Sequence, residues 1–151
     1  MTSRQRVEAA LRRQPVDRPP VALWRHGPEV DHDPRRLANA MLAFRDRWGL
    51  DQAAALPAHA LNWHDRLTAP TLSEAQDRFT GAVAGGLNEG TALREGPAAA
   101  IADQVRDATQ QTDGLGLMVA PGCGLSLDVP DEHLRVVVET VRAPAGRSGL
   151  R

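Results

Sequence analysis

Hydrophobic and polar positions alternate between two periods along the chain. Thr2 or Ser3 can cap a first helix, with Val7, Ala10 and Leu11 on one face and an end before Pro15. The VDRPP turn follows, then the apolar run Val21 to Trp24. A run that short, bounded by Pro and Gly, reads as a buried strand. Asp33-Pro34 starts the clearest helix, carrying Leu37, Met41, Phe44 and Trp48, with Gly49 placed to end it. The Ala-rich stretch from Gly49 to Pro57 has no strong pattern. Ala58 to Trp63 reads as a second strand and HDRLTAP as the loop after it. Thr71 and Glu74 form a capping box for a helix to about Phe79.

Ala82 to Asn88 is a third strand. Gly96-Pro97 opens a helix with Ile101, Val105 and Ala108. Gly114 to Gly122 is a fourth strand and loop, and Pro130 opens a last helix with Leu134, Val137, Val138 and Val141. The expected order is one helix and then strand–helix four times, which means parallel strands joined by crossover helices. No linker marks a second domain, so residues 1–142 read as one domain and 143–151 as a disordered tail.

Composition narrows the chemistry. All 18 basic residues are Arg, balanced by 19 acidic ones for a net charge of −1. There is no basic excess for nucleic acid or anionic lipid, and no lysine for a Schiff base or a Walker-type phosphate contact. Leu, Ile, Val and Phe are scarce and Ala abundant, so the core is thin. The opening residues lack an apolar signal region and no run is long enough to span a bilayer. A cytoplasmic protein without intrachain disulfides is expected, since Cys123 is the only cysteine.

In βα architectures ligands bind beyond the carboxyl ends of the strands. The residues there are Arg25 and His26; Asn62, His64 and Asp65; Asn88 and Glu89; and Pro121, Gly122, Cys123 and Gly124. Arg25 offers a planar fork for a substrate carboxylate, or forms a surface ion pair. His64 and Asp65 are an acid/base pair or a solvated loop pair, because adjacent residues point apart. Cys123 between two glycines is a metal ligand, a nucleophile or a plain loop thiol. His59 and His64 make a poor metal pair, and Gly85-Gly86 lacks phosphate-loop spacing. His26, His32 and His133 carry no pattern.

The opening RQRVEAALRRQPVDRPPVALWRH, the segment ALNWHDRLTAPTLSEAQDRF with AVAGGLNE, and GLGLMVAPGCGLSLDVPDEHLRVVVETV together resemble the uroporphyrinogen decarboxylase-like superfamily. That superfamily contains heme-pathway decarboxylases and corrinoid or thiol methyltransferases, all (β/α)₈ barrels. The resemblance implies an α/β fold: a partial barrel of about four parallel strands with outer helices. The middle of the barrel is expected to be missing, with a join near residues 49–57. It also implies a carboxy-lyase of porphyrin biosynthesis, acting without a cofactor on an anionic, tetrapyrrole-like molecule.

In the decarboxylases two strand-one arginines grip substrate carboxylates; Arg25 matches the first, and His26-Gly27-Pro28 does not restore the second. Asn88 joins Arg25 as an expected substrate contact. The decarboxylases' aspartate and tyrosine have no counterpart here, and the chain has no Tyr. Gly122-Cys123-Gly124 stands where the decarboxylases carry Gly-His-Gly. A cysteine there resembles the methyltransferase branch, where it binds zinc, but that branch's His-x-Cys pair is absent. Two alternatives stand beside a decarboxylase impaired by its short form: a zinc-dependent methyltransferase relative, and an inactive remnant stable only as an assembly. A half-barrel with a bare inner face implies a homo-oligomer.

Overall fold

A computed structural model describes residues 1–24, 29–30, 33–51 and 59–143. Arg25, His26, most of the patternless stretch before Pro57 and the tail after residue 143 lie outside the described residues. The elements are α1 (Ser3–Leu11), α2 (Pro34–Trp48), β1 (Ala60–Asn62), α3 (Leu72–Arg78), β2 (Ala82–Leu87), α4 (Ala92–Glu95), α5 (Ala98–Gln111), β3 (Leu117–Pro121) and α6 (Asp131–Arg142).

The helix ends follow the local chemistry read from the sequence. At α1, Thr2 Oγ1 accepts from Gln5 N at 3.2 Å while Thr2 N donates to Gln5 Oε1 at 2.9 Å. At α3, Thr71 and Glu74 make the same reciprocal pair. Gly49 ends α2 at φ +60°, a conformation that costs a side-chain-bearing residue.

The sheet is parallel, in the order β1–β2–β3, with Ala60 opposite Ala82 and Val83 opposite Leu117. The expected first strand, Val21 to Trp24, is reduced to a bridge: Val21 pairs in parallel with Val119 of β3. The described sheet therefore has three strands and a bridge rather than four strands. Pro19 and Pro20 have no N–H, so the ladder cannot extend toward the amino end. Pro20 contributes its carbonyl, accepting from Val119 N at 2.9 Å, and Ala22 N returns a bond to Val119 O at 3.0 Å. The first β segment thus lies beside the last strand, which is the neighbour relation that closes a cyclic βα array. The chain is a mixed α/β fold with the character of a partial barrel.

Period-2 alternation separates two faces of different size. Val21, Leu23, Val83, Leu87, Leu117 and Val119 face the helices, meeting Leu72 of α3, Ile101 and Val105 of α5, Leu134 and Val137 of α6, and Trp48 at the end of α2. Ala22, Ala84, Met118 and Ala120 form the other face, packed with Val7 and Leu11 of α1 and with Trp24 and Ala60. All the later helices lie on one face and α1 on the other, as one-sided crossovers require. The homo-oligomer expectation assumed a bare inner face. These four residues are buried within one chain, Met118 completely. Short α4 was not foreseen; it is one turn, started by Asn88 as described below.

A buried ion network fastens the amino-terminal block to the sheet edge. Asp51, just beyond α2, has a side chain with no solvent exposure. It accepts from Arg6 Nη1 at 2.6 Å, Arg18 Nη1 at 2.6 Å and Val21 N at 3.0 Å, and its own N–H donates to Val21 O at 3.1 Å. Asp17 receives Arg6 in bidentate fashion, at 2.7 and 2.8 Å. Burial works against the Asp51 carboxylate, but Arg18, Val21 N–H and Arg6 outweigh it and hold the carboxyl below its ordinary range. Asp17 is held well below that range, chiefly by its hydrogen bonds from Arg6.

Replacing Asp51 by Asn leaves two guanidinium groups short of a counter-charge, and a loss of about 3 kcal/mol is expected. Because the folded carboxyl titrates below its unfolded value, this stabilisation is complete above about pH 4 and is lost as pH falls through the folded value. Urea unfolding at pH 7 should separate wild type from Asp51→Asn, and the gap should narrow at pH 3.

Candidate ligand-binding rim

Parallel pairing brings the carboxyl ends of β1, β2 and β3 to one rim, and the residues after each strand meet there. Asn62 Nδ2, at the end of β1, donates to Ala84 O at 2.8 Å and Pro121 O at 2.9 Å, tying all three strands together. His64 follows β1 and Glu89 follows β2. His64 Nδ1 lies 2.8 Å from Glu89 Oε1, and Glu89 Oε2 accepts from Gly122 N, after β3, at 3.1 Å. Three loops thus converge on one imidazole. Gly122 is required there: a Cβ would lie 2.8 Å from both Cα and Nδ1 of His64. The imidazole is the outward member, with His64 47% and Glu89 16% exposed.

Asp65 takes the opposite direction, as expected for neighbours. Its side chain is buried and Oδ1 accepts from Gly86 N at 3.0 Å. Gly85 makes room for it, since a Cβ there would lie 2.5 Å from Asp65 Oδ1. That is the role of the paired glycines in β2: close approach of a carboxylate rather than of a phosphate. Burial pushes the Asp65 carboxyl up, and Glu89 adds to this, against the Gly86 N–H and Arg66. Arg66 is turned inward, donating to Gly86 O, Asp107 Oδ2 and Gln104 O at 2.9, 2.5 and 2.9 Å.

Asn88 stands at the end of β2, but its Oδ1 accepts from Gly90 N and Thr91 N at 3.0 and 2.9 Å, a local turn that opens α4. Cys123 is a free, exposed thiol. The donor set does not fit the zinc of the methyltransferase branch. Among the described residues no three His, Cys, Asp or Glu side chains cluster as a metal site, and His64 and Glu89 are engaged with each other. Arg25 lies outside the described residues. An open groove of about 560 Å³, lined by Ser3, Arg4, Arg45, Asp46 and Gly49 to Asp51, lies beside the ion network instead of at the rim.

A model of the family described as uroporphyrinogen decarboxylase (URO-D) matches residues 46–144, about two-thirds of the chain. The chain belongs to the uroporphyrinogen decarboxylase family. A search of curated proteins finds no match. The matched span includes β1, β2 and β3 and every described rim residue. The opening segment that resembles the family start lies before it, and reaches the family domain through the Val21–Val119 bridge and the Asp51 network. No helix among the described residues is long and apolar enough to cross a membrane.

Glu89 is the rim residue whose role the local sequence understates. Its signal was its position directly after a strand, but its partners come from two other loops. The exposure of Cys123 has a direct consequence. The native thiol should react with a small disulfide reagent in stoichiometric amount without prior unfolding, followed by thiolate absorbance; modification only in denaturant would contradict this placement.

Proposed function

We propose that this chain binds an anionic small molecule of the tetrapyrrole class at the carboxyl rim of its sheet and does not decarboxylate it. Family membership supports the ligand class. The observation that carries the loss of turnover is the open sheet, three strands and a bridge among the described residues. Decarboxylation needs groups preorganised around the developing charge in a site that excludes water. The described rim presents a half-exposed imidazole and an exposed thiol. Arg66, on the loop after β1, is held by Gly86, Gln104 and Asp107 and is not directed at a ligand.

On this reading Arg25 supplies the planar fork for a ligand carboxylate, and Asn88 shapes the rim by starting α4. The test is an anaerobic decarboxylation assay with uroporphyrinogen III beside a binding titration of wild type and Arg25→Ala. No carbon dioxide above the uncatalysed rate is expected, with measurable binding that weakens about tenfold in Arg25→Ala. Turnover at an enzymatic rate would overturn the proposal. Undiminished binding in the variant would remove Arg25 from the site.

A further inference from the structure

The open sheet has two edges, and they are not alike. On one side the first β segment lies beside β3. Its Pro20 carbonyl and Ala22 N–H turn toward Val119, so the N–H and C=O of Val21 turn the other way. Asp51 takes both: Oδ2 accepts from Val21 N at 3.0 Å, and Asp51 N donates to Val21 O at 3.1 Å. The Asp51 side chain has no solvent exposure, and Leu23, further along this edge, is completely buried. This edge is capped. On the other side lies β1. His59 O accepts from Ala82 N, and with the parallel register the backbone of Leu61 also turns toward β2. The N–H and C=O of Ala60 and Asn62 then turn outward, and among the described residues no hydrogen bond reaches them. Leu61, in the middle of β1, shares the helix-facing side with Val83 and is still 40% exposed. A row of free donors and acceptors beside an exposed leucine is a template for another strand.

We propose that β1 is a self-association edge, where β1 of a second copy pairs antiparallel across a two-fold axis at Leu61. The difference between the two edges selects this partner. A head-to-tail contact would need the open edge of one copy to meet the capped edge of the next, and Asp51 already holds the groups it would use. The open edge can meet only its own counterpart, which makes the contact isologous and closes it at a dimer instead of a filament. About that axis, Ala60 and Asn62 of one copy exchange backbone bonds with Asn62 and Ala60 of the second. The two Leu61 side chains lie side by side on one face, in the closer, non-hydrogen-bonded type of pair. The cover that α1 gives the inner face is untouched, so this is not association through a bare inner face. The two carboxyl rims point in opposite directions, and each copy keeps its own. The contact is short, so a dissociation constant on the order of 10 to 100 µM is expected.

Sedimentation equilibrium of the full chain over that range tests the proposal, with two substitutions that act on different parts of the contact. Ala60→Pro removes an N–H that has no partner within the chain and keeps a Cβ, so β1 stays paired with β2 while its outer edge loses a donor. Leu61→Arg sets two like charges against each other at the axis. Wild type should move from the mass of one chain toward twice that mass as concentration rises. Each variant should associate about tenfold more weakly or worse, with a circular dichroism spectrum like that of wild type. Amide exchange in the wild type gives a second reading. The amides of Ala60 and Asn62 should gain protection as concentration rises, while that of Leu61, turned toward β2, should not change. A wild type of one-chain mass up to about 1 mM would overturn the proposal. So would a dimer that neither substitution weakens, or masses that grow past two chains. Where a variant fails to fold, exchange at Ala60 and Asn62 that is indifferent to wild-type concentration overturns it instead.

Discussion

The carboxylate of Asp51 sets where the first 24 residues lie. It has no solvent exposure and two arginine partners, one from α1 and one from the turn that follows. A buried charge without such partners would cost several kcal/mol, so the arginines and the carboxylate must be assembled together or not at all. Because Asp51 also holds both backbone groups of Val21, assembling the ion network places the first β segment beside β3. That placement carries α1 across the small-residue face of the sheet, where Val7 and Leu11 cover Ala22, Ala84, Met118 and Ala120. A thin supply of large apolar residues suffices because one sheet face is lined by alanines and closed by a short helix.

The rim depends on the opposite ends of the same strands. Parallel register puts His64, Glu89 and Gly122 within reach of one another although they are far apart in sequence. Each of the two glycine sites there serves an approach that a Cβ would block: Gly122 for His64 and Gly85 for Asp65. Among the described residues, Asp65 and Arg66 point inward, while the His64 imidazole and the Cys123 thiol are exposed. That polarity distinguishes it from a surface built to attract anions by charge alone.

Most of the element order was legible because it is written locally. The cap at Thr2, the capping box at Thr71, the Asp33-Pro34 start and the Gly49 stop each depend on residues within a turn of one another. The parallel arrangement followed from alternation, and the exposure of Cys123 from its flanking glycines. What was not legible is non-local. Asp51 lies in a stretch without periodicity, and nothing near it in sequence announces Arg6 and Arg18 as partners. The pairing of His64 with Glu89, in preference to Asp65 beside it, needed strand register. The first strand was read at four residues from its apolar pattern, whereas pairing with the last strand is confined to a bridge at Val21. The amides of Gly90 and Thr91 that engage Asn88 Oδ1 were likewise not read from the sequence.

The central claim is that the amino-terminal segment is fastened to the last strand of the family domain, and backbone amide hydrogen exchange tests it most directly. Ala22 N–H and Val119 N–H bond across the bridge, while Val83 N–H bonds to Gly116 O within the β2–β3 pair. The account predicts that the amides of Ala22 and Val119 are protected as strongly as that of Val83, opening only with the whole domain. Free exchange at Ala22 and Val119 with Val83 still protected would contradict it, leaving the amino-terminal block unattached to the sheet.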